Sequence, residues 1–311
     1  MEPRHEKTGM ALQRRRLPSQ VRRRMAYSFA SFYVLVGLLL VAPYSACGGD
    51  KPVRTVETLS PDWVPIPTPQ RGAEAWTCGT RSRTAWRVTQ TEGALRITAT
   101  EFGERRADPL PFPLEEGNRF GTPRSHRFAT MVADGWIVGL GAGEFGGSLW
   151  WFSPTGEQKA RIAEVPVRGV TTLGGSPVVL TGTAHADTDT GQLLELSRAA
   201  NGEWRIERRT DLGAAPEAYA TAPDGPLFVM TSKGLLRLTQ HDNPTRLTSE
   251  GYFGLHPNSI AVTRSGVCLI GMNHFVVRLT PVRDGYKDEW FVNRTCRHFR
   301  MDDDECVCSG R

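Results

Sequence analysis

The sequence predicts an all-β fold, a β-propeller of four-stranded blades, and two observations support this prediction. One pattern recurs: a turn, an apolar run, a short polar loop and a further run such as LLRLT or VVRLT. The aligned turns lie at Trp136, Pro177, Pro226 and Val267, which are 41, 49 and 41 residues apart. In addition, no amphipathic stretch of ten or more residues with helical periodicity follows the N-terminal leader. Four strands in a repeat of about 40–45 residues are typical of a propeller blade.

Each of these four repeats contains four predicted strands. The first strands are RFATMVAD, RGVTTLGG, EAYATAPD and NSIAVTRS, and the second strands are WIVGLGAG, PVVLTGTA, PLFVMTSK and VCLIGMNH. The third strands are SLWWFS, LLELSR, LLRLTQ and FVVRLTP, and the more polar fourth strands are EQKARIAE, EWRIERRT, PTRLTSE and YKDEWFVN. Short runs rich in β-branched and aromatic residues, separated by Gly, Asp and Ser turns, are typical of strands. The inserted sequence TAHADTDTGQ accounts for the longer spacing.

A fifth, degenerate unit precedes the four. Residues 84–102 predict a strand pair around a Glu-Gly turn. We therefore favour five blades, and six or seven stay open if residues 53–58 and the region around Leu110 add strands. The predicted organisation is a signal or anchor leader (1–46), a Pro-rich linker (47–75), the propeller (76–295) and a Cys-rich tail (296–311).

The leader is typical of an export signal. It has a basic flank at 22–24 and an apolar run at 29–42, which is shorter than the roughly 20 residues that a membrane-spanning helix needs. Ala46 directly before Cys47 resembles the bacterial lipoprotein cleavage box, in which the cysteine becomes the lipidated mature N-terminus. We therefore expect a lipid anchor on the exported side of a bacterial cell envelope. Ordinary signal-peptidase cleavage and an uncleaved anchor are the alternatives, and the start codon stays open between Met1, Met10 and Met25.

The distribution of charge argues against a nucleic-acid-binding protein. The chain has 38 Lys and Arg and 33 Asp and Glu, but eight of the basic residues and two of the acidic ones precede Cys47. The remainder has 30 basic against 31 acidic residues. Nucleic-acid affinity requires clustered positive charge to neutralise phosphates, and the body of the chain lacks that excess.

Six cysteines in a chain expected to be exported predict disulfide bonds. Two bridges are expected among Cys78, Cys296, Cys306 and Cys308. Three connectivities are open for four cysteines, and we expect Cys78 to bridge to the C-terminal segment. Cys268 lies in an apolar strand and is expected to stay a free thiol. A metal site formed by Cys296, His298, Cys306 and Cys308 is the alternative. Because export disfavours reduced thiolates, we predict no metal and no cofactor.

Two segments carry a resemblance to a known group. GEFGGSLWWFSPTG (143–156) and HPNSIAVTRSGVCLIGMNHFVVRL (256–279) resemble exported bacterial β-propeller-like lipoproteins without an assigned activity. The resemblance covers the body of the chain after Trp76. It implies a propeller fold and an exported location, and it implies no catalytic residue.

Four polar residues occupy the same place in the repeat, nine residues before each aligned turn: Arg127, Arg168, Glu217 and Asn258. In a propeller the first strand of each blade lines the channel, so these side chains are predicted to form a ring at the channel mouth. A slip of one residue would turn a side chain away, because strand side chains alternate. The loops between second and third strands add Glu144, His185, Asp187, Asp189, Lys233, Asn273 and His274 over the same face.

This ring is the predicted ligand site. Its two guanidinium groups suit an anion, so we expect a protein partner or an anionic saccharide. One alternative is a structural ring, in which the arginines pair with Glu217 or with each other's carbonyls. Another is a metal-assisted hydrolase or lyase, lactonase-like, with Glu217 and Asn258 as ligands at the propeller axis. No serine elbow, phosphate loop or zinc-binding His-Glu helix is present, so no catalytic residue is predicted.

Overall fold

The computed structural model describes residues 59–91, 94–104, 106–114, 125–240, 242–248 and 251–309. The predicted leader, Cys47 and the first part of the predicted linker lie outside the described residues. None of the helices in the described part of the chain has the length and apolar character needed to cross a membrane.

The described chain begins with β1 (Trp63–Ile66) and helix α1 (Glu74–Arg81). Blade 1 is the hairpin of β2 (Thr84–Thr91) and β3 (Ala94–Glu101). Blade 2 contains β4 (His126–Val132), β5 (Gly135–Gly141), β6 (Gly147–Phe152) and β7 (Lys159–Ala163). Blade 3 contains β8 (Val167–Leu173), β9 (Ser176–His185), β10 (Thr188–Arg198) and β11 (Trp204–Asp211). Blade 4 contains β12 (Pro216–Thr221), β13 (Leu227–Thr231), β14 (Gly234–Leu238) and β15 (Thr245–Arg246).

Blade 5 contains β16 (Ser259–Val262), β17 (Cys268–Gly271), β18 (Val276–Val282) and β19 (Gly285–Asn293). The C-terminal hairpin follows, with β20 (His298–Asp302) and β21 (Glu305–Ser309). Two short 3₁₀ helices span Gly143–Phe145 and Arg294–Cys296. In blades 2 to 5 the four strands pair antiparallel in sequence order, as the repeat predicts.

The first strands of the five blades lie side by side around an axis, with one gap between β2 and β4. β4 lies beside β8, β8 beside β12, β12 beside β16, and β16 beside β2. The gap between blades 1 and 2 is filled by residues 106–108, where the Arg127 N–H donates to the Arg106 carbonyl at 2.8 Å and the Asp108 N–H donates to the Arg127 carbonyl at 3.0 Å. The predicted all-β propeller is therefore confirmed, and the described residues provide five blades. The region around Leu110 contributes no strand in the described part of the chain.

Neighbouring blades pack closely because their facing surfaces combine buried apolar side chains with glycine. Ile137, Leu149 and Leu194 are completely buried between blades 2 and 3. Gly169 on β8 lies against the ring of Tyr219 on β12, and a Cβ atom at Gly169 would lie 2.2 Å from Tyr219 Cε1. The Tyr219 hydroxyl also accepts from the Val170 N–H at 3.3 Å. This contact fixes β12 against β8.

The propeller begins earlier than the predicted boundary at residue 76. β1 lies in the predicted linker, yet it pairs antiparallel with β19 and forms the outer edge of blade 5. Trp63 in β1 contacts Trp86 edge-on at 4.9 Å, which ties this edge to blade 1. Proline in β1 is compatible with this place because an edge strand does not need every N–H for the sheet.

The C-terminal segment is a hairpin fastened by two disulfides. Cys78 in α1 bonds to Cys306, and Cys296 bonds to Cys308. Cys268 is a buried free thiol, and burial raises its pKa to about 12. These findings confirm the predicted set of bridged cysteines and the predicted link from Cys78 to the C-terminal segment. Since that link joins the helix before blade 1 to the hairpin after blade 5, it fastens both ends of the ring.

Candidate functional site

The ring of first strands surrounds a cavity of about 790 Å³, here called the central cavity. This volume falls in the range of small-molecule sites. Its polar and charged lining includes Arg87, Glu101, Glu104, Arg106, Asp108, His126, Arg168, Glu217, His256, Asn258, Ser259 and Asn273. Every blade contributes residues to this lining.

Two of the predicted ring residues, Arg168 and Glu217, lie at equivalent β-bulges. In β8 the register shifts between Val167 and Gly169, and in β12 it shifts between Pro216 and Ala218. The extra residue in each bulge lines the central cavity, together with the flanking residues Val167, Pro216 and Ala218. Bulges commonly re-aim side chains beside functional sites. The local backbone therefore presents a guanidinium and a carboxyl group from adjacent blades.

Arg168 and Glu217 influence each other electrostatically. The Arg168 Nε donates to the Gly182 carbonyl at 3.0 Å, which orients the guanidinium. Oε2 of Glu217 is buried and has no hydrogen-bond partner among the described residues. Burial raises the pKa of Glu217 to about 8; the positive charge of Arg168 opposes this rise, and the negative charge of Asp189 adds to it. At neutral pH Glu217 is therefore mainly a neutral acid that can donate a hydrogen bond.

Two amides of blade 5 complete the polar part of the central cavity. The Asn258 Oδ1 accepts from the Ser259 hydroxyl at 2.7 Å, and that hydroxyl oxygen accepts from the Val88 N–H at 2.8 Å. Asn273 is 1% exposed, and neither its Oδ1 nor its Nδ2 has a hydrogen-bond partner among the described residues. An unpaired buried amide is costly, and a cavity-lining one can be satisfied by a bound polar molecule.

Arg127 departs from the predicted ring. It is absent from the residues that line the central cavity, whereas its neighbours His126 and Phe128 line it. β4 has a regular register with no bulge, so alternation turns the residue at this place away from the axis. The Arg127 Nε instead donates to the Asp108 carbonyl at 2.8 Å. This contact is structural, although the carbonyl belongs to Asp108 and not to the other arginine of the predicted ring.

The predicted loop residues are distributed among different places. Glu144 pairs with His185 on the inserted hairpin of blade 3. The Lys233 ammonium donates to the Gly213 carbonyl at 3.2 Å and lies 3.5 Å from Asp189. None of these four side chains belongs to the cavity lining. Their contacts hold loops of blades 2, 3 and 4 together.

Asp189 has the clearest structural role in these loops. Its Oδ1 accepts from the Ala215 N–H at 2.8 Å, and its Oδ2 accepts from the Ser232 hydroxyl at 2.7 Å. Burial alone would raise the pKa of Asp189, but these hydrogen bonds and Lys233 lower it overall. The inserted hairpin is thereby fixed to the start of β12, next to Glu217.

His274 faces away from the central cavity, although its neighbour Asn273 lines it. The imidazole is 2% exposed and lies among the sulfur atoms of the two disulfides. Burial lowers the pKa of His274 to about 4. The predicted role of His274 at the channel mouth is therefore not supported by its position. His298 belongs to the alternative metal site that the sequence suggests, and it lies exposed on β20.

Sequence reasoning missed several charged residues that line the cavity, and Arg106 with Asp108 is the best-ordered pair among them by its contacts. Arg106 forms two hydrogen bonds to Asp108, at 2.8 and 3.2 Å, and its guanidinium carbon lies 5.3 Å from the Tyr219 ring centre and 5.4 Å from that of Phe128. These residues lie outside the repeat positions used for the ring. Only the charged sequence RRAD at 105–108 could have indicated this pair. Charged turns of this kind are common at protein surfaces, so the sequence alone did not single it out.

Aromatic side chains border the polar groups. Phe102, His256, Phe128 and Tyr219 line the central cavity. Phe102 is 52% exposed, and its ring centre lies 4.9 Å from that of His256. The cavity therefore offers three guanidinium groups, two of them paired with carboxylates and the third that of Arg168, together with the neutral acid Glu217, two amides and the exposed ring of Phe102. This combination can bind an anionic group together with hydroxyl groups and an apolar ring face.

Groups of three or more side chains able to hold a metal ion occur, within the described ranges, only around His274. The central cavity has no such group of His, Cys, Asp and Glu ligands in that part of the chain. The metal-assisted alternative therefore lacks a supporting observation in the cavity.

No protein-family model matches the sequence, and no curated protein matches it. Solved structures are similar at low identity. Virginiamycin B lyase from Staphylococcus aureus is 12% identical, with 72% of this chain and 83% of that chain covered and a TM-score of 0.38. A protein of unknown function from Bacteroides caccae is 13% identical, with coverage of 71% and 77% and a TM-score of 0.35. Similarities at such scores do not indicate what this chain binds.

Proposed function

We propose that this chain is a non-enzymatic binding module that recognises a carboxylate-bearing saccharide in the central cavity. The observation that carries the proposal is the pair of equivalent bulges, which present Arg168 and Glu217 from adjacent blades. A saccharide with a carboxylate matches this pair and the amides and aromatic rings around it.

The carboxylate would bind between Arg168 and Glu217. Arg168 supplies a positive charge and N–H donors that suit a carboxylate. Glu217, with its pKa near 8, supplies an O–H donor at neutral pH. A hydrogen bond to a charged group contributes about 1.5–3 kcal/mol, so this pair gives the anionic ligand a clear advantage over its neutral analogue.

The sugar ring would contact the rest of the cavity. Asn273 has unpaired amide atoms that can exchange hydrogen bonds with hydroxyl groups, and Asn258 lies at the start of the same blade. Phe102, which is 52% exposed, offers apolar surface for the C–H face of a pyranose. A pyranose is small enough for a cavity of about 790 Å³, and two or three linked units extend toward its mouth.

The proposal also includes a membrane-anchored location. We propose that Cys47 is lipidated and that residues after it hold the propeller on the exported side of a bacterial cell envelope. The short apolar run, its basic flank and Ala46 support this. A binding module for saccharides is suited to that surface.

Calorimetric titration with glucuronic acid oligosaccharides tests the proposal. The matched control ligand is the same oligosaccharide with each carboxyl reduced to an alcohol. We expect the acid to bind and the reduced form to bind at least tenfold more weakly. Arg168→Gln should weaken binding of the acid at least tenfold, whereas Arg205→Gln, at an exposed arginine of β11, should leave it unchanged.

The dependence of binding on pH is a second test of the proposal. Because Glu217 loses its proton near pH 8, binding of the acid should weaken as the pH rises through that value. Equal binding of both ligands, or wild-type binding by a folded Arg168→Gln variant, would contradict the proposal. Chromatographic appearance of shortened or unsaturated products during incubation would instead identify the chain as a hydrolase or lyase.

A further inference from the structure

A second polar cluster lies outside the central cavity, where α1, the C-terminal hairpin and blade 5 meet. The His274 ring is surrounded there by the sulfur atoms of Cys78, Cys296, Cys306 and Cys308. The Cys296 sulfur lies 3.5 Å from Nε2 and 3.8 Å from Nδ1 of the ring. The sulfur atoms of Cys306 and Cys308 lie 3.7 and 3.9 Å from Nδ1.

The imidazole has an unusual environment for a buried histidine. Only 2% of His274 is exposed, and Phe275 and Phe299 pack edge-on against it with ring centres at 4.7 and 5.1 Å. Among the described residues, the polar contacts of its ring nitrogens are all to sulfur. Cystine sulfur is a weak hydrogen-bond partner, so this buried ring has neither a strong donor nor a strong acceptor beside it.

The distances from Nδ1 of His274 to three of these sulfur atoms suit a tetrahedral metal site. The sulfur atoms form two groups around the ring, Cys296 with Cys308 and Cys306 with Cys78, and zinc would draw the first three together. Zinc binds thiolate sulfur at about 2.3 Å and imidazole nitrogen at about 2.0–2.1 Å, so the ligand atoms of a tetrahedral site lie about 3.6 Å apart. Nδ1 of His274 lies 3.7 to 3.9 Å from the sulfur atoms of Cys296, Cys306 and Cys308. Little movement of the ring is needed, although breaking the disulfides must let the sulfur atoms separate.

We propose that His274, Cys296, Cys306 and Cys308 form a Zn²⁺ site when the two disulfides are reduced. In this form zinc replaces the disulfides as the link between the end of blade 5 and the hairpin. The oxidised chain then joins blade 5 to the hairpin by a disulfide, and the reduced chain joins the same two parts by zinc.

The chemistry balances with a dithiol as the reductant. Each dithiol transfers two electrons and two protons to one protein disulfide and becomes a disulfide itself, so two dithiols yield four protein thiols. Binding of Zn²⁺ by three thiolates releases three protons, and Nδ1 of His274 donates a lone pair while Nε2 keeps its proton. Cys78 remains a thiol beside the site.

Cobalt titration of the purified chain tests the proposal. The chain is reduced with dithiothreitol, the reductant is removed by gel filtration without oxygen, and Co²⁺ is added. We expect one equivalent of Co²⁺ to produce the intense visible and near-ultraviolet bands of tetrahedral thiolate coordination, and Zn²⁺ to displace it. The oxidised chain should give no such bands, because cystine sulfur is not a thiolate.

Variants identify the ligands. Cys308→Ser and His274→Gln should each weaken Co²⁺ binding at least tenfold, while Cys78→Ser and the matched control Cys268→Ser should bind as the wild type does. Wild-type binding by Cys308→Ser, or loss of binding in Cys78→Ser, would overturn the ligand set. If the reduced wild type unfolds, Zn²⁺ should restore its circular dichroism spectrum, and a failure to do so would overturn the site.

Discussion

Replacing Glu217 with glutamine should change how the stability of the propeller depends on pH. The substitution keeps the shape of the side chain and removes its ionisation. Burial raises the pKa of Glu217 from 4.5 to about 8, so the folded chain holds a proton that the unfolded chain has already released between these values. The wild-type contribution to stability is therefore fully present below about pH 4.5 and is lost as the pH rises through about 8.

The size of the effect follows from the same pKa. One unit of pKa shift corresponds to about 1.4 kcal/mol, so the free energy of unfolding should fall by up to about 1.4 kcal/mol per pH unit within this window. The whole contribution has an upper limit of about 5 kcal/mol for the shift from 4.5 to about 8. Glutamine should remove this slope, because its amide is neutral in both states.

Urea unfolding followed by tryptophan fluorescence, from about pH 5 to about pH 9, measures the effect. The curve of wild-type stability should decline relative to that of Glu217→Gln as the pH rises. Glu203→Gln, in an exposed turn, is the matched control and should run parallel to the wild type. Parallel curves for the wild type and Glu217→Gln would refute the conclusion that the fold keeps this carboxyl protonated.

Three further predictions concern the fold and its location. Gly169→Ala should lower the free energy of unfolding by about 1–3 kcal/mol in urea titrations, because its Cβ would clash with Tyr219; an unchanged midpoint would contradict this packing. Deleting residues 1–66 should lower the thermal midpoint relative to deleting residues 1–58, because only the longer deletion removes β1 from blade 5; equal midpoints would show that β1 adds no stability. Labelling with a fatty-acid analogue in a bacterial host should mark the wild type and not Cys47→Ala, and equal labelling would exclude a lipid at that cysteine.

The blades could be predicted from the sequence because their signals are local and repeated. Alternating apolar residues and Gly-containing turns mark strands within a few residues, and the 41-residue spacing confirms their alignment. β1 and α1 lack such signals. β1 contains proline and forms only one edge of a sheet, and α1 has eight residues, so neither produces a long periodic pattern. Their place is determined by contacts with the distant end of the chain, at β19 and the C-terminal hairpin.

Alignment of the repeats predicts which residues lie near the central cavity, but it does not predict which of their side chains line it. Alignment placed Arg127, Arg168 and Glu217 at equivalent positions, yet only the last two line the cavity. The difference is one residue of register: β8 and β12 each contain a bulge at that place, and β4 does not. A bulge depends on hydrogen bonds to the neighbouring strand and leaves no fixed sequence pattern. Because both bulges occur in adjacent blades, the guanidinium of Arg168 and the carboxyl of Glu217 share one side of the cavity. The regular β4 instead directs Arg127 to the Asp108 carbonyl, where it supports the closure of the ring between blades 1 and 2.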